Sequence, residues 1–378
     1  MWRHGGIESR VAIPTLLTAG EAFDDLVFVG LERLPALGEE IKTNRFHATI
    51  GGGGVITAVG AARLGIRTAI ASALSDAAVT RLRHEQVRVH NLRRAGEPHA
   101  ISAALSTSTD RAFVTYNGVN AVLEPRLLAA LAVPRATHVH LALCPTDLRA
   151  WTRVVTRLRR TGVTVSWDFG WSEALAEREE LPALMDALDF VFVNELEAPL
   201  YAHVNAIDEA YPVLRELKTA VIVKLGSLGS RWLRADGDVV MPAPRVDVVD
   251  TTGAGDAFNA GFLAAWLRGG PPAHCLATGN AVGAASTRAP GGLDALPMAA
   301  KLPALLRPTA RRVLRPAPPQ AARGGSGRAT RGTTLAGANA PARATASPVA
   351  TASPRASASP IAASPRARRT TSAPRKTS

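Results

Sequence analysis

One stretch, Asp250-Thr-Thr-Gly-Ala-Gly-Asp256-Ala-Phe-Asn-Ala-Gly261, constrains this chain more than any other. Apolar residues Val246 to Val249, interrupted by Asp247, precede it, and Phe258, Gly261, Phe262, Ala265 and Trp266 follow at helical spacing. That order predicts a strand, a glycine turn and a helix that opens at the glycines. The first amides of a helix lack intrahelical acceptors and sit at the positive end of its dipole. Gly253, Ala254 and Gly255 put no bulk in front of them, so the turn is a candidate anion hole for a phosphate. Asp256 stands beside it, where a carboxylate takes the proton of a hydroxyl attacking a phosphoryl group.

Two other uses of such glycines fail on the residues. A dinucleotide fingerprint needs a third glycine where Phe258 stands and an acid about 20 residues on, and no Asp or Glu occurs between Asp256 and Asp294. A Walker loop needs Gly-Lys-Ser/Thr, which does not follow. The remaining alternative, a structural turn with a helix-capping acid, is open on this motif alone.

Two more motifs lie upstream. Gly51-Gly-Gly-Gly54 leads from Ile41 to Ile50, read as a strand, into a helix with Val55, Ala58, Val59 and Ala62 on one face and Leu64-Gly65 at its end. Four glycines let backbone approach a ligand closely. Asn194-Glu195-Leu-Glu197 follows the apolar run Phe190 to Val193, placing Asn194 and Glu197 one helical turn apart at a helix start.

In this order and spacing the three motifs resemble the PfkB carbohydrate kinase family, from about Thr18 to Pro297. The resemblance implies an α/β, ribokinase-like three-layer sandwich with a mainly parallel central sheet and a small β lid, whose strands lie within about 26–50 and 99–118. The apolar runs alternating with helical stretches from Ala136 to Lys224 fit such a sheet. It also implies an ATP-dependent transfer of the γ-phosphoryl group to a hydroxyl of a sugar or sugar-like molecule. Asp256 is the implied catalytic base and Gly253, Ala254 and Gly255 the anion hole. Asp25, Gly52 and Gly53 are the implied substrate contacts, and Lys224, Gly226, Gly229 and Asn280 the implied ATP contacts. Asn194 and Glu197 are implied to order Mg2+, largely through water, and Asp250 and Thr252 to sit at a site for a monovalent cation, K+. A homodimer through the lid is the expected assembly.

Three departures stand out. Ile56 replaces the Asn with which sugar kinases of this family usually bind substrate hydroxyls, and Cys144 lies where ribokinases carry a sugar-contacting acid. The region from Ser75 to Gln86 is about two helical turns shorter than usual. A pocket losing polarity suggests a nucleoside kinase as the alternative within the fold. A non-catalytic ligand sensor or nucleic-acid-associated relative is the alternative outside it. His138 and His140, alternating on a strand, are read as a packed face rather than zinc ligands.

Charge divides the chain at its C-terminal end. Residues 301–378 hold 15 of the 44 Lys and Arg and none of the 31 Asp and Glu, so the body is near neutral and the excess belongs to the tail. The expected division is a kinase domain over 1–304 and a disordered, basic Ala/Ser/Pro/Arg-rich tail over 305–378, with Ala-Ser-Pro repeated at Ala346, Ala352, Ala358 and Ala363. Only that tail offers a route to nucleic acid. No apolar run reaches the length of a membrane span. Two cysteines form no disulfide framework, so a cytoplasmic location is expected.

Overall fold

The computed structural model describes residues 15–107, 111–132, 136–234 and 236–306, all within one compact unit. The expected disordered tail from 307 on, and residues 108–110 within the expected lid segment 99–118, lie outside the described residues. The first half of the chain forms β1 (Thr15–Gly20), β2 (Phe23–Leu31), β3 (Phe46–Gly51), α1 (Gly53–Arg63), β4 (Arg67–Ser72), α2 (Asp76–His84), β5 (Arg88–Asn91), β6 (Ile101–Thr107), β7 (Arg111–Tyr116) and α3 (Leu123–Ala130). Then come β8 (His138–Ala142), α4 (Leu148–Arg160), β9 (Thr164–Asp168), α5 (Glu173–Ala176), α6 (Leu181–Asp186), β10 (Phe190–Asn194), α7 (Glu197–Ala202) and α8 (Ile207–Arg215). The last elements are β11 (Ala220–Lys224), β12 (Ser230–Leu233), β13 (Val239–Met241), α9 (Ala254–Trp266), α10 (Pro272–Ser286) and α11 (Leu302–Leu305).

Nine strands make one sheet in the order β13-β12-β11-β10-β9-β8-β1-β4-β5, parallel throughout except at the antiparallel β12 and β13. The period of two along each strand separates two cores. Leu17, Val139, Leu141, Val165, Trp167, Val191, Val193, Val221 and Val223 face one side, while Leu16, Ile70, Phe190, Phe192 and Ile222 face the other, where α1, α9 and α10 lie. Both faces are covered, which is why these strands read as continuous apolar runs. His138 and His140 are fully buried on the second face, His138 edge-on to Trp266 at 5.1 Å and His140 to Phe192 at 5.7 Å. They are packed side chains, and no group of three or more His, Cys, Asp or Glu among the described residues is arranged to hold a metal ion.

The lid is a four-stranded sheet, β3-β2-β6-β7. Asp25 lies within β2, opposite Thr49 and Ser102. Its neighbour β3 corrects a sequence expectation. The strand expected over Ile41 to Ile50 forms only from Phe46, because the β2–β3 ladder stops at Phe28–Phe46, just short of Gly30 with its positive φ of 74°. A second correction concerns Val246 to Val249, which form no strand. Val249 and Asp250 both donate to the carbonyl of Thr287 at the end of α10, and Val248 and Val249 are exposed. No helix among the described residues is long and apolar enough to cross a membrane.

Candidate active site

The carboxyl ends of β1, β8, β9, β10 and β11 collect at one edge of the sheet, where ligands of parallel sheets bind. Helix α9 opens onto that edge. Its cap, Gly253, has φ 69°, and a Cβ there would overlap Cδ1 of the buried Ile56, so glycine is required on both counts. Ala254 N donates to Thr251 O and Ala257 N to Gly253 O, whereas the amides of Gly255 and Asp256 take no backbone acceptor. Two adjacent amides at the positive end of a 13-residue helix are an anion site by their own electrostatics.

The glycine loop before α1 meets the same point. A Cβ added at Gly53 would stand 2.7 Å from Asp256 Oδ1 and 2.9 Å from the Ala142 methyl, and one at Gly51 would overlap Asp25 Oδ2. Gly52, with φ 103°, lies so close to Glu21 O that only glycine fits. Thr57 Oγ1 donates to the Asp256 carbonyl at 3.1 Å and ties the two helices together. Asp25, Gly52, Gly53 and Asp256 with its Gly253–Gly255 turn, five parts from three distant stretches, are therefore one constellation.

Beside the turn opens a cavity of about 800 Å³ lined by Lys224, Gly226, Gly229, Ala254, Gly255 and Asn280. The implied ATP contacts thus share one wall system, large enough for a nucleotide. Asn280 Nδ2 donates to Met241 O at 2.9 Å, holding β13 against α10. Arg245 also lines this cavity. It precedes the apolar run Val246 to Val249 and belongs to no motif, so the sequence carries no signal for it.

Asn194 and Glu197 cap α7 reciprocally. Asn194 Oδ1 accepts from the amides of Leu196 and Glu197 at 2.8 and 2.9 Å, and Glu197 Oε2 accepts from Asn194 N at 2.8 Å. Asp250 Oδ1 accepts from Thr252 N and Oγ1 at 2.9 and 2.7 Å, and its Oδ2 accepts from Gly291 N at 2.9 Å, which draws the Pro290-Gly-Gly292 turn onto the start of the motif.

Lys224 is placed differently from a surface phosphate contact. Its ammonium is buried and bonded to Asp168 Oδ2 at 2.6 Å, and Asn259 Nδ2 donates to the same oxygen at 2.7 Å. Asp168 ends β9 and Asn259 lies inside the 250–261 motif, one turn beyond Asp256; neither carries a sequence signal for this role. Burial opposes charge on Asp168 and Lys224 alike, yet the pair holds Asp168 below and Lys224 above its ordinary range. Asp256 is pushed up to about 7 by burial and by the negative charge of Asp168, with Lys224 pulling the other way. Burial and Asp168 raise Glu197 to about 7, and burial with the neighbouring Asp24 raises Asp25 to about 7. A carboxyl poised near neutrality beside an anion hole is suited to general base chemistry.

Residues 15–299 match the profile described as pfkB family carbohydrate kinase. The chain belongs to that family. Among curated relatives of this pfkB-family chain, the ATP-dependent ribose-1-phosphate kinase of Halopiger xanaduensis is 35% identical over 180 residues, 47% of this chain and 58% of that one. The alignment thus spans little more than half of that relative's length. The nucleoside kinase of Methanothermobacter thermautotrophicus is 26% identical over 275 residues, covering 71% of this chain and 87% of its own. The structure of Arabidopsis thaliana ribokinase complexed with ribose and ATP superposes with a TM-score of 0.64 at 25% identity, over 78% of this chain and 99% of that one. The pfkB-family chain has the ribokinase-like fold.

Proposed function

We propose that this protein is an ATP-dependent kinase in which Asp256 deprotonates a hydroxyl of a sugar or nucleoside as it attacks the γ-phosphoryl group. The observation that carries this reading is the meeting of three things at one point: the Asp256 carboxylate, the two unfilled amides of α9 and the nucleotide-sized cavity beside them. The names of the relatives, kinases of ribose phosphate and of nucleosides, support the acceptor class. Asp25 grips acceptor hydroxyls, and Gly52 and Gly53 let the acceptor lie against the backbone. The Gly255 and Asp256 amides hold the charge that develops on the transferring group. Closing the lid keeps water from the donor.

The donor set fits a magnesium ion held mostly by phosphate and water, because Asn194 Oδ1 is occupied by two amides while Glu197 keeps one oxygen outside the capping bond. Bound there, the ion would neutralise phosphate charge; Asn194 and Glu197 would orient its waters. Asp250 and Thr252, drawn to the 290–292 turn, are the residues for a monovalent cation. A cytoplasmic location, and a dimer through the exposed lid residues Phe46, Val114 and Tyr116, belong to the same reading.

A nucleoside acceptor is the second reading, favoured by the buried Ile56 where a hydroxyl-binding Asn is usual and by the exposed Cys144. Purified protein incubated with Mg·ATP and a panel of pentoses, hexoses, sugar phosphates and nucleosides separates the two by which acceptor gains phosphate. Transfer to none of them defeats both. Gly53→Ala tests the geometry directly. Its methyl would press on Asp256 Oδ1 and fill the acceptor's place, so kcat/KM for the acceptor is expected to fall by about 100-fold with ATP binding retained. Calorimetry with ATP alongside steady-state kinetics checks both halves, and an unimpaired variant would mean the acceptor does not lie over this loop.

A further inference from the structure

Beneath the first turn of α9 lies a buried polar cluster that the transfer step above does not use. Asp168 Oδ2 takes both Lys224 Nζ and Asn259 Nδ2, and the Gly170 amide donates to Asp168 Oδ1 at 3.4 Å. These contacts join β9 and β11 to α9, with Asn259 one helical turn beyond Asp256. The ammonium stands directly behind the cradle, since a Cβ on Gly255 would lie 3.2 Å from Nζ. The groups that act on Asp256 from the surrounding elements are Asp168 on β9, Glu197 on α7 and Lys224 on β11, with His140 on β8 facing Asp168. Three carboxyls therefore surround one lysine ammonium, and Asn259 adds a hydrogen bond to Asp168.

We propose that Lys224 is a positioning residue: pinned by Asp168 and Asn259 behind the anion hole, it keeps Asp256 ionised and the first turn of α9 in place, and it is not a binding contact for the nucleotide. The inference rests on the kinase reading for its consequence in catalysis. The 2.6 Å bond to a buried carboxylate fixes where the ammonium stands, and drawing it away towards a phosphate would leave Asp168 charged, buried and without its cation. Without the ammonium, Asp256 is left among like charges and retains its proton at neutral pH. A protonated base accepts nothing, so Lys224 acts on the reaction through Asp256.

Lys224→Met is expected to lower kcat at pH 7 by about tenfold or more, with the ATP KM within about twofold of wild type, and to move the rising limb of the pH–rate profile up by about one unit or more. Lys224→Arg should restore most of the activity. Asp168→Asn should act with the opposite sign on Asp256, because it removes a negative neighbour and keeps the cation. In carboxyl-labelled protein, with the Asp256 resonance assigned by its loss in Asp256→Asn, the midpoint should rise in Lys224→Met and fall in Asp168→Asn.

A raised ATP KM at unchanged kcat would make Lys224 a nucleotide contact and overturn the proposal. So would an equal loss at every pH with the Asp256 resonance unmoved, which is what a packing role alone produces. Should Lys224→Met fail to fold, Lys224→Arg and Asp168→Asn decide by the same resonance. If wild-type protein transfers phosphate to no acceptor, the kinase reading falls, and the direction of the two carboxyl shifts still settles whether Lys224 controls Asp256.

Discussion

Asp256→Asn is expected to lose about two or more orders of magnitude in turnover while binding ATP as the wild type does. The substitution keeps the size and shape of the side chain, so its place against the Gly53 loop and the two open amides of α9 are preserved. What disappears is the capacity to accept a proton. The same carboxyl also sets a sign for pH. Because the base works ionised and its pKa lies at about 7, wild-type turnover should climb as pH rises through that value. The linkage to stability runs the other way: an acid whose folded pKa is raised holds its proton more tightly in the folded state, so its contribution weakens as pH rises from its ordinary 3.8 towards about 7. Asp256→Asn should therefore be at least as stable as wild type in alkaline buffer. Single-turnover kinetics with calorimetric ATP titration measures the first claim, and turnover equal to wild type would remove Asp256 from the mechanism.

Trp167→Ala is expected to cost about 3–5 kcal/mol of folding stability, the range for emptying a large aromatic site. Trp167 is fully buried, stacked on Phe169 at 4.8 Å and edge-on to Trp151 at 4.9 Å, and its Nε1 donates to the Leu143 carbonyl at 2.8 Å. Removing it leaves a void and an unpaired buried carbonyl together. Its neighbour Asp168 points to the other face of the sheet, toward Lys224, so a loosened β9 should also disturb the site. Against a total of about 5–15 kcal/mol for a typical domain, this loss brings the protein near its unfolding threshold. A fall in urea midpoint at constant slope is the expected measurement; a shift worth under about 1 kcal/mol would mean the pocket collapses around the vacancy.

Much of the fold was legible because its signals are local. Unbroken apolar runs such as Phe190 to Val193 and Ala220 to Lys224 belong to strands covered on both faces, and the helical spacing after Gly253 placed the opening of α9 at the glycine turn. The errors share one cause. Val246 to Val249 have the composition of a strand but find their acceptor at Thr287, and Ile41 to Arg45 have a strand-like start but no ladder beyond Phe28–Phe46. Whether an extended segment becomes a strand depends on a partner that sequence spacing does not reveal.

The glycines and the acid of the 250–261 motif settled by themselves that a helix would open with bare amides beside a carboxylate, since no residue with a side chain tolerates the turn at Gly253. They also settled, with Gly51 to Gly54, which backbone stretches are able to approach a ligand. Tertiary structure alone decided that Gly53 would meet Asp256, and that Asp168, Lys224 and Asn259 would close into one buried cluster beneath them. Those three residues are 91 positions apart at the extremes, and each taken singly is an ordinary strand-end or helical polar residue. Only the burial of a charge among other charges, which is a property of packing, turns them into a control on the base.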